Sequence, residues 1–181
     1  MKHNSTKKLV YMSLCIAIGL VLPQAFHMLP IANSGSVLLP MHIPVIICGV
    51  LCGYKYGAFT GFLLPFLSSI LTGMPPLFPI GLSMMFELAT YGFLAGLGYE
   101  ITKRRIIPTL LIAMFGGRIV LGIANTIFFG MADMPYSFNL FITAAFITAI
   151  PGIILQFIII PSILYALEKV SLTLPTVSKI E

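Results

Sequence analysis

Charge is what this sequence has least of. Ten Lys or Arg and five Asp or Glu make up 8% of its 181 residues. A soluble domain carries about 25% charged residues, because its surface must be hydrated. So little charge implies that most of the outer surface faces lipid. The signatures of catalysis are missing as well. There is no HExxH, no GxSxG elbow and no pair of apolar-flanked Asp residues of the intramembrane-protease kind. No Walker A sequence occurs, so ATP hydrolysis by this chain alone is excluded. Cysteine is scarce and odd in number. Cys15, Cys48 and Cys52 lie in apolar stretches without His or acidic ligands at matching depth, which reads as buried thiols and not as a metal site. No metal or other cofactor is expected.

What is abundant is apolar: 59% of the chain is hydrophobic, with 16 Gly and 13 Pro. Spanning helices tolerate both residues, since Gly lets helices approach and Pro marks ends and kinks. A spanning helix takes about 20 residues. The chain is therefore expected to be an all-α membrane protein: one domain over 1–181 with six transmembrane helices in a bundle. The expected helices run over about 9–29, 40–53, 57–72, 80–99, 107–129 and 140–167. The second is short and is expected to tilt or to begin within the outer leaflet. No room is left for a soluble catalytic domain. The basic N-terminal stretch before Leu9 could introduce a signal peptide. The apolar run continues to Leu29 without a small-residue cleavage site, so a retained first helix is expected.

The net charge of +5 is not a nucleic-acid signal, because no exposed basic–aromatic surface can form. It sets topology instead. Under six-helix threading, Lys2, Lys7, Lys8, Lys55, Lys103, Arg104, Arg105, Lys169 and Lys179 fall on one side. The loops at 30–39, 73–79 and 130–139 fall on the other, and their only charge is Asp133. The positive-inside rule then places both termini in the cytoplasm.

Two ionisable residues remain inside apolar helices: Glu87 and Arg118. A charge at mid-membrane costs at least a few kcal/mol, so such residues face the interior and find partners. At about 1.5 Å per residue they lie about 11 Å and about 16 Å below the outer surface, within reach of each other. They could be an internal ion pair stapling two helices, or they could bind a polar ligand. Arg118, Gly122 and Asn125 share one helical face, as do Glu87 and Tyr91. His42 opens the second helix between Met41 and Pro44, Gln156 lies within the sixth, and Gln24 and His27 lie near the outer end of the first. His42, Glu87, Tyr91, Arg118, Asn125 and Gln156 are the candidate substrate contacts. Met74, Phe78, Tyr136 and Phe138 in the outer loops serve either as bilayer anchors or as a lid over a pocket; Met74, Phe78 and Tyr136 are the candidate lid. Gly49, Gly53, Gly57 and Gly61 read as close-packing positions, not as a phosphate loop.

The six-helix layout, the basic N-terminus and three strings together resemble the substrate-binding S components of energy-coupling factor (ECF) vitamin transporters. The strings are Leu39-Pro40-Met41-His42-Ile43-Pro44, Gly73-Met74-Pro75-Pro76-Leu77-Phe78-Pro79 and Phe86-Glu87-Leu88-Ala89-Thr90-Tyr91-Gly92. The resemblance implies a bacterial inner-membrane protein that captures a water-soluble vitamin from outside. It also implies docking on a transmembrane coupling subunit driven by two cytoplasmic ATPases, and toppling within the membrane to deliver the ligand. Family ligand sites use the outer loops and outer halves of helices 4 to 6, where Glu87, Tyr91, Arg118 and Asn125 match by helix and depth. The family's Ala-x-x-x-Ala docking pattern has its nearest match in Ser13-x-x-x-Ala17, with Ser in the first position. An acid, a base, an amide and aromatics suit a pyridoxine or hydroxymethylpyrimidine type of ligand. Pantothenate, with Arg118 as counter-ion, and cobalamin are the alternatives within the family. A proton-coupled secondary transporter using Glu87 is the rival class, and a structural membrane protein stapled by Glu87–Arg118 a third.

Overall fold

The computed structural model describes residues 2–28 and 34–169. Residues 29–33, where the first helix was expected to end and the first loop to begin, and the C-terminal tail with Lys179 lie outside them. Among the described residues the chain is helical: α1 (Lys2–His27), α2 (Ser34–Leu38), α3 (His42–Cys52), α4 (Tyr54–Thr72), α5 (Leu82–Ile101), α6 (Ile106–Met131), α7 (Phe138–Ile142) and α8 (Ile150–Lys169). Among the described residues, five stretches are long and apolar enough to cross a membrane: Ser5–Phe26, Gly35–Cys52, Leu77–Ile101, Ile106–Met131 and Phe138–Leu167. The expected third span forms as α4 but is not among these five, since it opens on Tyr54, Lys55 and Tyr56 and carries Thr60, Ser68, Ser69 and Thr72.

α3 to α6 lie within about three residues of the expected bounds, whereas α1 begins at Lys2 and not at Leu9, and the other departures have local causes. Segment 54–56, expected as a turn, is already helix. Gly53 alone makes the reversal, with φ at +97°, a conformation that L side chains resist. Gly53 is therefore a turn residue and not a packing residue: a Cβ there would meet nothing within 4 Å. The loop expected over 30–39 contains the short helix α2. The fifth element is entered through an irregular turn over Leu77–Gly81, in which Phe78 is extended (φ −124°, ψ 136°). The expected sixth helix is interrupted: α7 is capped by the Ser137 hydroxyl, which accepts from the Leu140 N–H at 3.2 Å. A wide turn closed by Thr148 N–H to Thr143 C=O at 2.8 Å then leads into α8.

α3 lies at the centre. All of its residues from His42 to Cys52 are buried, which explains why the segment is apolar on every side. It packs against α1, α4, α5 and α8, while α5 packs in addition against α4 and α6. The α3–α4–α5 contact is made backbone to backbone. A Cβ on Gly49 or Gly57 would strike the Gly92 carbonyl, one on Gly61 the Leu88 carbonyl, and one on Gly96 the Tyr54 backbone. Small residues let helices approach until dispersion contacts replace the hydrophobic drive that lipid cannot supply. Beside this seam the Cys48 Sγ and Thr60 Oγ1 lie 3.1 Å apart. Cys15, Cys48 and Cys52 are buried free thiols, and among the described residues no group of three or more His, Cys, Asp or Glu is placed to hold a metal.

Candidate functional site

Each of the helices α1, α3, α4, α5 and α6 presents a different residue at its two ends, and the antiparallel run of the chain brings one set of ends together. The starts of α3 and α5 and the ends of α1, α4 and α6 enclose a cavity of about 380 Å³. Its wall takes Pro23 and Gln24 from α1, Ser36 from α2, and Leu39 to His42 from the approach to α3. It takes Ser68 from α4, Met84 and Glu87 from α5, and Arg118, Leu121, Asn125 and Phe129 from α6. The proline loop closes one side with Met74, Pro75 and Pro76. That loop is fastened to α4: the Ser68 hydroxyl donates to the Met74 carbonyl at 2.7 Å, and Thr72 Oγ1 does so at 3.1 Å. The basic residues Lys7, Lys8, Lys55, Lys103 and Arg104 belong to the opposite ends of these helices.

The polar heart of the wall is a linked trio. Arg118 Nη1 donates to Glu87 Oε1 at 2.9 Å. His42 Nε2 stands 3.5 Å from the same oxygen, close enough for an ion pair but not aligned as a hydrogen bond. Glu87 is 3% exposed, Arg118 5% and His42 1%. Among the described residues, Arg118 Nε and Nη2 and both His42 ring nitrogens make no hydrogen bond. Buried polar groups are nearly always satisfied, so this cluster of unmet groups on a cavity wall is the feature in need of an explanation. It matches the anatomy of a small-molecule site: mostly apolar walls with a few convergent polar groups.

The structure brings together His42, Glu87, Arg118 and Asn125 of the expected substrate contacts and Met74 of the expected lid. Tyr91 does not line the cavity. Its ring lies edge-on to His42 (centroids 4.9 Å apart, 88° between planes) and against Gly117, where a side chain would collide with it. It holds the imidazole from behind. Gln156 is fully buried on α8, in a stripe with Gly152, Ile160 and Leu164, and lies outside the cavity. Phe78 points away, 45% exposed and edge-on to Phe128 at 6.4 Å. Tyr136 sits one step behind the wall: its hydroxyl accepts from Asn125 Nδ2 at 3.1 Å and its ring tilts against Phe129 at 5.1 Å. Partial burial of Tyr136 raises its phenol pKa above the ordinary value; the Asn125 hydrogen bond works against that rise and the Glu87 charge adds to it. Ser13 and Ala17 lie on the outward face of α1, with the Ser13 hydroxyl turned back onto the Leu9 carbonyl at 2.6 Å.

Sequence reasoning missed Ser36, Ser68, Met84, Leu121 and Phe129 as wall residues, and it noted Gln24 without assigning it to the site. For Leu121 and Phe129 the signal was available, because they continue the Arg118–Asn125 face of α6. Gly122, which sequence spacing put on that face, receives the Phe141 ring instead.

A family model described as ECF transporter, substrate-specific component, matches residues 7–164. Searches of curated proteins and of solved structures give no match.

Proposed function

We propose, because the chain belongs to the ECF transporter substrate-specific components, that its cavity is the capture site for one water-soluble vitamin or vitamin precursor. Membership makes the chain a multi-pass membrane protein and the substrate-binding subunit of a transporter, which works with a coupling component and ATPases. The observation that carries the finer reading is the His42–Glu87–Arg118 trio on the wall of an otherwise apolar cavity. A ligand of the pyridoxine or hydroxymethylpyrimidine type fits that wall. Its hydroxyl or amino group would donate to Glu87, its ring nitrogen or oxygen would accept from Arg118 or His42, and Met74, Met84 and Phe129 would cover the ring. The volume of about 380 Å³ is at the small end of ligand pockets, which span about 300–1,000 Å³. That favours a compact ring over cobalamin. Pantothenate would need Arg118 as counter-ion, and Arg118 is already bonded to Glu87.

The cavity is lined by Ser36 and Leu39 and by Met74, Pro75 and Pro76, from loops that carry no Lys or Arg, while Lys7, Lys8, Lys55, Lys103 and Arg104 lie at the other end. This supports a cavity facing outward across a bacterial inner membrane, with both termini in the cytoplasm. Ser13 and Ala17, exposed on α1, are the docking positions for the coupling subunit, which two cytoplasmic ATPases would drive. Ala17→Phe is expected to abolish vitamin uptake by the assembled transporter while ligand binding by the isolated chain stays unchanged. Loss of both together would refute the docking role.

Mass spectrometry of small molecules released from the purified chain tests the main reading. One heteroaromatic vitamin or precursor, in stoichiometric amount, is expected. No released molecule, together with no calorimetric binding of pyridoxine or hydroxymethylpyrimidine, would sink it. Uptake driven by a proton gradient in liposomes holding this chain alone would establish the rival, a secondary transporter working through Glu87.

A further inference from the structure

We infer that the cavity takes its substrate in an uncharged, acceptor-bearing form and discriminates against the phosphorylated or carboxylated counterpart. This rests on the reading of the cavity as the substrate site and adds the charge class of the ligand to it. The charged side chains on the wall are Glu87 and Arg118, and they sum to zero. They are also committed to each other, through the 2.9 Å bond from Nη1 to Oε1. An anion entering from water would lose its hydration and meet a guanidinium already neutralised by a carboxylate. A buried charge without its own counter-charge is strongly disfavoured.

The wall does carry unmet donors. Arg118 Nε and Nη2 are donors and His42 brings a ring N–H, yet among the described residues none of these is hydrogen-bonded. Gln24, Ser36, Ser68 and Asn125 are the other polar side chains of the wall; the Ser68 hydroxyl donates to the Met74 carbonyl, and Asn125 has given an amide hydrogen to Tyr136. A ring nitrogen, hydroxyl or carbonyl oxygen would satisfy the buried donors at no cost in charge. An ionised phosphate would satisfy them too, but would bring its charge alongside Glu87. It follows that if the substrate is used in the cell as a phosphate ester, a kinase reaction must act after uptake, because the phosphorylated form would not be the one captured.

The test uses matched pairs that differ in charge: pyridoxine and pyridoxine 5′-phosphate, hydroxymethylpyrimidine and its phosphate, and pantothenol and pantothenate. Binding to the purified full chain is measured by calorimetry at about pH 8, above the ordinary histidine range. In any pair that binds, the uncharged member is expected to be tighter by at least about tenfold. Tighter binding of the anionic member would overturn the inference and leave the capture function standing. No binding by any of the six would sink both. Glu87→Gln removes the carboxylate charge and frees the guanidinium, so it should shift the neutral-to-anion affinity ratio toward the anion by about a hundredfold, the scale of two charges about 5 Å apart at an effective dielectric of about 20. An unchanged ratio would overturn the inference. Should that variant fail to fold, the ligand released from the wild-type chain decides: an uncharged molecule supports the assignment, and a phosphate or carboxylate refutes it.

Discussion

The same three helices are packed in opposite ways at their two ends. Toward the Lys55 end, α3, α4 and α5 touch backbone to backbone through Gly49, Gly57, Gly92 and Gly96, with no space for a side chain. Toward the loop end, those helices carry His42, Ser68 and Glu87 and stand around a cavity. The glycine seam fixes the angle and spacing of the helices, and the polar groups at the far end keep the space from collapsing into an apolar core. Close packing and the cavity thus occupy separate halves of one bundle. The division predicts that mutations at the two ends will fail differently.

The largest effect is expected at the polar end. Arg118→Met leaves Glu87 buried without its partner, and breaking a buried pair from one side costs about 3–5 kcal/mol. Thermal unfolding in detergent should show the loss, and the double variant with Glu87→Gln should recover part of it. Full stability of the single variant would mean that the pair contributes nothing. At the other end, Gly92→Val drives a side chain into the Gly57 backbone. Overpacking of this kind costs about 1–3 kcal/mol. The molecules that remain folded should bind ligand with unchanged affinity; weakened affinity would show that the two halves are not separable. Glu87→Gln should reverse that pattern, reducing the affinity for an uncharged ligand by about 1–3 kcal/mol through loss of a charge-assisted hydrogen bond. Unchanged affinity would remove Glu87 from the site.

The smallest effect concerns the step behind the wall. Tyr136→Phe deletes the hydrogen bond from Asn125, worth about 0.5–1.5 kcal/mol. It should speed ligand release, measured by filter chase, more than it lowers stability. The Tyr136 pKa is raised above 10.0, so the folded chain holds the phenolic proton more tightly than the unfolded chain does. Its contribution is complete below the ordinary tyrosine value and is lost as pH rises through the raised one. A drop in wild-type stability as pH rises through that range, absent in Tyr136→Phe, would confirm the assignment; the Asn125 bond itself survives, because a phenolate oxygen accepts it more strongly than a phenol does.

Much of the fold was legible because hydropathy and turn chemistry act over short stretches. The apolar segments ended where α3, α5 and α6 end to within a few residues, and the close-packing role read from Gly49, Gly57 and Gly61 holds. Gly53 did not follow, since one-residue reversals look like any other glycine until φ is known. The site was half legible. Glu87 and Arg118 stood out because charge in an apolar helix is costly, and helix periodicity then pointed to Asn125. Gln156 stood out as an uncharged polar residue in an apolar helix, but it belongs to the buried stripe of α8 outside the cavity. Ser68 and Met84 could not be found, because Ser and Met are ordinary in membrane helices and only their neighbours make them wall residues.

By itself, then, the sequence determined that this chain is a membrane-embedded helical bundle, with basic residues segregated from three loops and one acid and one base hidden in its helices. Those properties follow from the cost of placing each residue in lipid or water, which hardly depends on what the residue touches. Only the tertiary structure decided that Arg118 and His42 converge on one oxygen of Glu87, that Tyr91 stands behind them, and that Gln156 and Phe78 do not join them. Such meetings depend on the angles and distances between helices. Those are set by glycines more than one turn away along the same helices, and no local pattern of residues carries them.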